Sequence, residues 1–307
     1  MTKISDSEVG RKRGTTKLAA RMARLGTETA FEVLARAKEL EKQGKNIIHL
    51  EIGEPDFDTP THITEAAIKA LREGYTHYGP SAGLTDVREV VADEINRTRN
   101  LNFSWKNVVV TPGAKPIIFF SIFALVDEGD EVIYPNPGFP IYESVINFVG
   151  ARPVPIKLKE ENDFNIDLGD LESLISKRTK MIIINSPQNP TGSVLTRTNL
   201  EQLARIASER GIWILADEIY IRIIYEGHHL SIASFGQMVD RTIIVDGMSK
   251  AYAMTGWRLG YGVMPEDLAM SVARLMTNSN SCTATFAQRS IIEALRGPQS
   301  PTESMVK

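Results

Sequence analysis

A series of short, uninterrupted apolar runs, separated by helical patterns, limits what this chain can fold into. Val108–Thr111, Glu131–Tyr134, Met181–Asn185, Ile212–Asp217 and Thr242–Val245 each read as a strand. Between them, Pro116 to Val126, Tyr142 to Val149 and Leu200 to Arg210 read as helices, the last with Leu200, Leu203, Ile206 and Ala207 on one face. A strand that is apolar on both sides must be covered on both sides. The pattern therefore predicts an α/β fold around a mostly parallel sheet. In such a sheet the handedness of the crossovers places ligands at the carboxyl ends of the strands. Thr111, Asn185, Asp217 and the pair Ser249-Lys250 all fall at such ends.

The N-terminal part is organised differently. Residues 1–25 read as a polar, aperiodic tail that includes the basic cluster Arg11-Lys12-Arg13. An amphipathic helix from Thr29 to Lys42 follows, then Ile47 to Leu50, a Gly/Pro/Asp-rich loop, and a helix from Ile63 to Glu73 that Thr61 could cap. Beyond Lys250 the sequence accommodates one more strand and helices at Glu266 to Met276 and Phe286 to Leu295. At about 150 residues per domain, 307 residues suggest two domains.

Composition narrows the function by exclusion. A net charge of -3 without an aromatic-interleaved basic patch gives no reason to expect nucleic acid. There is no secretory signal and no run of about 18 apolar residues, so no membrane is expected. The single cysteine, Cys282, excludes an intramolecular disulfide and fits a reducing cytoplasm. No HExxH pattern or cysteine cluster offers a metal site. Gly247-Met248-Ser249-Lys250-Ala251 looks like a nucleophile elbow, but all five histidines precede Ser249, so the order required of a hydrolase triad fails.

Four segments carry chemistry. Lys250 closes a buried run, where an amine is poorly solvated; it is either a surface lysine just past a strand or a desolvated nucleophile suited to a Schiff base. Thr111-Pro112-Gly113-Ala114-Lys115 opens a helix after a strand, as an anion site at a helix N-terminus or as an ordinary turn. Asn185 to Gly192 holds two asparagines, two prolines and a glycine; it either presents Asn189 to a cleft or serves only as a turn. Asp217, at the end of a buried strand, needs a cationic partner unless it caps a helix.

Together the segments resemble the class I/II aminotransferases, pyridoxal-phosphate enzymes of fold type I. The matching pieces, in the family's order, are Gly53-Glu54-Pro55-Asp56-Phe57, Tyr75 to Pro80 with Gly83, and Gly113-Ala114-Lys115. They continue with Pro135 to Tyr142, Asn189-Pro190-Thr191-Gly192, Asp217-Glu218-Ile219-Tyr220, and Ser249-Lys250 with Gly256-Trp257-Arg258-Leu259-Gly260. The resemblance implies a seven-stranded sheet in a large domain over residues 61–297, with residues 26–60 as an N-terminal arm belonging to a small domain.

It also implies roles. Lys250 would hold pyridoxal 5'-phosphate as an internal aldimine and shuttle a proton; Asp217 would pair with the pyridinium nitrogen. Asn189 and Tyr220 would bond the ring's phenolic oxygen, and Phe139 would stack on the ring. Gly113, Ala114, Lys115, Ser249 and Arg258 would hold the phosphate, with Tyr78 reaching the phosphate of a second subunit in a homodimer. The loop at Gly53 would lie over the amino acid or 2-oxo acid substrate, with Asn189 beside it. Two departures accompany the resemblance. Gly247 stands where many members carry a hydroxyl. The sequence ends at Lys307, where 298–307 would begin the small domain's C-terminal part, so the reading is of an incomplete member without its α-carboxylate arginine. The same constellation also serves fold type I lyases and synthases, and a cofactor-binding remnant without turnover.

Overall fold

The computed structural model describes residues 16–27 and 29–307; the Arg11-Lys12-Arg13 cluster lies outside them. Seven strands form one sheet: β1 Val108–Thr111, β2 Glu131–Asn136, β3 Arg152–Lys157, β4 Thr179–Asn185, β5 Trp213–Asp217, β6 Thr242–Gly247 and β7 Gly260–Val263. The spatial order is β1-β7-β6-β5-β4-β2-β3. Six strands run in the same direction, and β7 is antiparallel to both of its neighbours. The expected mostly parallel α/β sheet is present.

Among the described residues ten α-helices accompany it: α1 Thr29–Lys42, α2 Thr61–Arg72, α3 Thr85–Arg99, α4 Lys115–Leu125, α5 Ile141–Val149, α6 Leu168–Leu174, α7 Arg197–Arg210, α8 Glu266–Asn280, α9 Thr285–Arg296 and α10 Ser300–Val306. Two readings of the sequence need correction. Thr61 does not cap α2 but begins it, after an N-cap at Pro60 that makes no side-chain bond. Within the expected tail, Ala20–Arg24 forms a 3-10 turn, and Gly26 N–H donates to Ser144 Oγ of α5 at 3.0 Å.

The alternation of side chains along the strands sorts the core into two faces. Val109, Val132, Met181, Ile183, Leu215, Ile243 and Val245 face one side, packed with residues of α4, α5 and α8. Val108, Val110, Ile244, Tyr261 and Val263 face the other, under α3 and α9, continued by Ile182, Ile184, Ile214 and Ala216 under α7. Extending the alternation by one residue assigns the strand ends. Asn185 and Asp217, directly paired across β4 and β5, follow the first face, whereas Glu218 and Asp246 follow the second.

Candidate active site

Lys250 sits in the turn that leaves β6, and its amine donates to Gly53 O at 2.5 Å. The loop after residue 52 is therefore laid across Lys250 and is tied down on either side of it. Thr255 Oγ1 donates to Glu54 Oε2 at 2.8 Å, Thr59 Oγ1 donates to Ala253 O at 2.7 Å, and Trp257 Nε1 donates to Thr59 Oγ1 at 2.9 Å. Behind the lysine, Thr302 Oγ1 of α10 donates to Ala251 O at 2.7 Å. Burial lowers the pKa of Lys250; Glu54 opposes the shift, while the Arg258 and Lys115 cations reinforce it. The amine is thus partly desolvated rather than freely solvated.

Asp217 is buried at the end of β5, where Tyr142 OH donates to its Oδ2 at 2.7 Å and Ile219 N–H to its Oδ1 at 3.3 Å. Burial pushes its carboxyl up to about 6, against these two bonds. The charges of Asp246 and Glu218 add to the rise. No cation pairs with Asp217 among the described residues, so the site is built for a cationic or proton-bearing group that the chain does not itself provide. Tyr142, absent from the sequence-based set, lies three residues after Phe139, and its ring meets Phe139 edge-on at 5.9 Å.

The loop after β4 is set by Asn185. Its Nδ2 donates to Pro187 O at 3.1 Å and to Asp217 O at 2.9 Å, and its Oδ1 accepts Asn189 N–H at 2.7 Å. This fixes Asn189 relative to Asp217 and leaves its half-buried side chain at the mouth of a cleft of about 460 Å³. Tyr220, Pro187, Val194, Ile223 and Tyr225 line the cleft as well. Burial, with Asp217 nearby, pushes the Tyr220 phenol up to about 12, and the Lys250 amine stands 5.8 Å from the centre of its ring.

An anion cradle completes the site. The N-cap of α4 is Ala114, which makes no side-chain cap; in the first turn Pro116 carries no N–H and Ile117 N–H donates to Ala114 O at 3.0 Å. Gly113 holds φ +87°, and a Cβ there would overlap the Arg258 guanidinium. Arg258 itself takes a left-handed backbone conformation, φ +57°, with Nη1 donating to Thr255 O at 2.6 Å. Lys115 lies 5.0 Å from the centre of the Phe139 ring. Gly247 is explained by contact rather than by a missing hydroxyl: a Cβ there would come within 2.8 Å of Gly260 Cα, its partner across the strands. The chemistry of these groups, a cationic corner beside a partly desolvated amine and a buried carboxylate without a cation among the described residues, fits pyridoxal phosphate.

Two of the sequence-predicted residues stand apart from this cluster in character. Ser249 is half-buried beside Lys250. Tyr78 is 90% exposed, and Gly79 after it packs near Thr285 of α9. Among the described residues no three His, Cys, Asp or Glu side chains cluster as a metal site would, and no helix is long and apolar enough to cross a membrane.

Comparison with known proteins places the chain in a family. The profile of aminotransferase class I and II matches residues 45–307. A probable aspartate/prephenate aminotransferase of Aquifex aeolicus is 42% identical over 92% of this chain and 72% of its own length. Aspartate aminotransferase from Thermus thermophilus, solved with maleate, is 37% identical with a TM-score of 0.91, over 94% of this chain and 75% of that one. Alanine aminotransferase from Pyrococcus furiosus is 34% identical with a TM-score of 0.88, over 94% of this chain and 75% of that one.

Proposed function

The chain belongs to the class I and II aminotransferases, and we propose that it moves the amino group of an L-amino acid to a 2-oxo acid by a ping-pong route through a Lys250 aldimine of pyridoxal 5'-phosphate. The observation that supports this most is the opposed pair at neighbouring strand ends: an amine lowered and a carboxyl raised by burial, with the Arg258 and Lys115 cations acting on the amine.

Bound there, pyridoxal phosphate supplies an electron sink for bonds at the amino acid's Cα. The remaining chemistry is assigned to the chain. Arg258 and the backbone of Ala114 and Lys115 take the phosphate, aided by Ser249. Asp217 faces the ring nitrogen and holds a proton there, with Tyr142 orienting the carboxylate. Asn189 and Tyr220 donate toward the ring's phenolic oxygen, and Phe139 covers one ring face. The lowered pKa of Lys250 favours the neutral amine, the form that can bond to the cofactor and, once released, carry a proton at Cα. The Gly53 loop, already held to Lys250 and Thr255, screens this amine from water, and substrate entry must displace the Gly53 carbonyl from it.

The exposed Tyr78 supports a homodimer in which each subunit completes the other's phosphate site. The names of the relatives make aspartate the first donor to test. Purified protein supplied with pyridoxal phosphate should show a band near about 420 nm that borohydride abolishes. Addition of aspartate and 2-oxoglutarate should then yield glutamate. Absence of the band would defeat the cofactor assignment; the band without glutamate from any tested donor would defeat the transferase assignment.

A further inference from the structure

The face of the sheet opposite the anion cradle carries a buried ion network. Arg99, the last residue of α3, has a fully buried side chain. Its Nε donates to Glu218 Oε2 at 3.0 Å and its Nη2 to Asp246 Oδ2 at 2.6 Å, while Nη1 donates to Thr98 Oγ1 at 2.7 Å. Each carboxylate has further partners. Ser231 Oγ donates to Glu218 Oε1 at 2.6 Å, and Tyr261 OH donates to Asp246 Oδ2 at 3.0 Å. Gly247 N–H donates to Asp246 Oδ1 at 2.7 Å. His229 Nε2 lies 3.3 Å from Glu218 Oε2 without the alignment of a hydrogen bond. Arg222 completes the surroundings, pairing with Glu94 of α3 and lying over the Tyr252 ring at 5.5 Å.

The position of this network gives it a meaning beyond stability. Glu218 follows Asp217 directly, and Asp246 lies four residues before Lys250. One guanidinium thus joins the ends of β5 and β6, the two strands that present the carboxylate and the amine of the site. Asp217 and Glu218 project to opposite faces, so the peptide between them is held from both sides, by Tyr142 on one and Arg99 on the other. Its N–H is also tied to the neighbouring strand, because Glu218 N–H donates to Val245 O at 2.9 Å. Replacing a buried ion pair with apolar residues is often neutral or stabilising, so stability alone is a weak reason for such a network.

We propose that Arg99 is a positioning residue for the cofactor site: its fork to Glu218 and Asp246 fixes the end of β5 so that Asp217 meets the ring nitrogen of pyridoxal phosphate. This rests on the cofactor reading above and extends it to a residue on the far face of the sheet. The effect must be specific to the nitrogen. Loosening the fork weakens the contact made by Asp217 while leaving the phosphate cradle of Gly113 and Arg258 intact.

The test compares equilibrium binding of pyridoxal 5'-phosphate with that of its 1-deaza analogue, in which C–H replaces the ring nitrogen. Arg99→Lys keeps the charge and loses the fork; it should weaken pyridoxal phosphate binding about tenfold relative to the analogue. Equal weakening of both ligands, or of neither, overturns the proposal, since a merely structural role does not distinguish them. If Arg99→Lys does not fold, the double variant Ser231→Ala/Tyr261→Phe decides. It loosens both carboxylates without changing charge and should show the same selectivity at about threefold; no selectivity overturns the proposal. Wild-type protein that binds neither ligand would refute the cofactor reading and this inference together. Wild-type protein that binds both equally would refute this inference alone.

Discussion

Asp217 and Glu218 are adjacent carboxylates at the end of one strand, and the two faces of the sheet treat them in opposite ways. On the second face, burial alone would raise Glu218, but the charges of His229 and Arg99 and the Ser231 bond override it and hold the carboxyl at about 2. On the first face, Asp217 has only a phenol and one amide for company, and burial takes it to about 6. One face is finished by the chain itself; the other is left short of a cation. The difference teaches where a ligand belongs: the buried charge that the fold leaves uncompensated marks the site, and the compensated one marks the scaffold.

The largest effect that would test this contrast is at Lys250. Lys250→Ala should abolish the borohydride-sensitive band and reduce transamination to background, with the thermal unfolding midpoint of the cofactor-free chain little changed; a surviving band would mean another amine holds the cofactor.

Next in size is a pair of substitutions that should split binding from stability. Asp217→Asn removes an ionic contact worth about 3 kcal/mol and should weaken pyridoxal phosphate binding about a hundredfold. It should not destabilise the cofactor-free fold. Arg99→Met strands two buried carboxylates and should cost about 3–5 kcal/mol in denaturant unfolding. If Asp217→Asn proved the more destabilising of the two, the division into a finished and an unfinished face would be wrong.

A smaller effect is expected at Gly113. The Cβ of Gly113→Ala displaces the Arg258 guanidinium, so phosphate-dependent binding should fall about tenfold while binding of dephosphorylated pyridoxal stays level. Equal loss for both ligands would place the cradle elsewhere.

The smallest effect is on pH dependence, and its sign differs between the two carboxylates. The folded chain holds the Asp217 proton at about 6 against an ordinary 3.8. Ionising it therefore costs about 3 kcal/mol of stability above pH 6, a cost relieved as pH falls toward the unfolded value. Glu218 is lowered from 4.5 to about 2, so its stabilisation is present above the unfolded value and is lost as pH falls through the folded one. The cofactor-free chain should therefore gain stability on going from about pH 7 to about pH 5, and Asp217→Asn should abolish that gain. A flat wild-type profile over that interval would show that Asp217 is not raised.

Much of this architecture was readable in advance because the central strands are continuous apolar runs, and their ends could be counted off. β3 escaped notice for a physical reason. Arg152-Pro153-Val154-Pro155-Ile156-Lys157 carries two prolines and alternates in burial, which only an edge strand tolerates, and β3 pairs with β2 alone. The helix α3 did carry a readable pattern, with Val87, Val90, Val91 and Ile95 buried on one side. Of the site, Lys250, Asp217 and Asn189 were legible from their strand ends and their neighbours. Tyr142 was not, since a tyrosine in an apolar helix looks like core until Asp217 is seen beneath it. Arg99 was less legible still: its partners lie 119 and 147 residues away, and a charge at a helix end reads as solvated.

The glycines at 113, 247 and 260 bring three backbones into direct contact where β1 and β6 end and β7 begins. A Cβ at Gly247 or Gly260 would meet the facing backbone and one at Gly113 the Arg258 guanidinium, so the corner has no room for an added side chain. Relatives named for aspartate, prephenate and alanine share this chain's fold. For anyone redesigning the enzyme, the glycine corner is the part to leave untouched. The cleft wall formed by Val194, Ile223 and Tyr225 and the strap over Lys250 lie outside that corner.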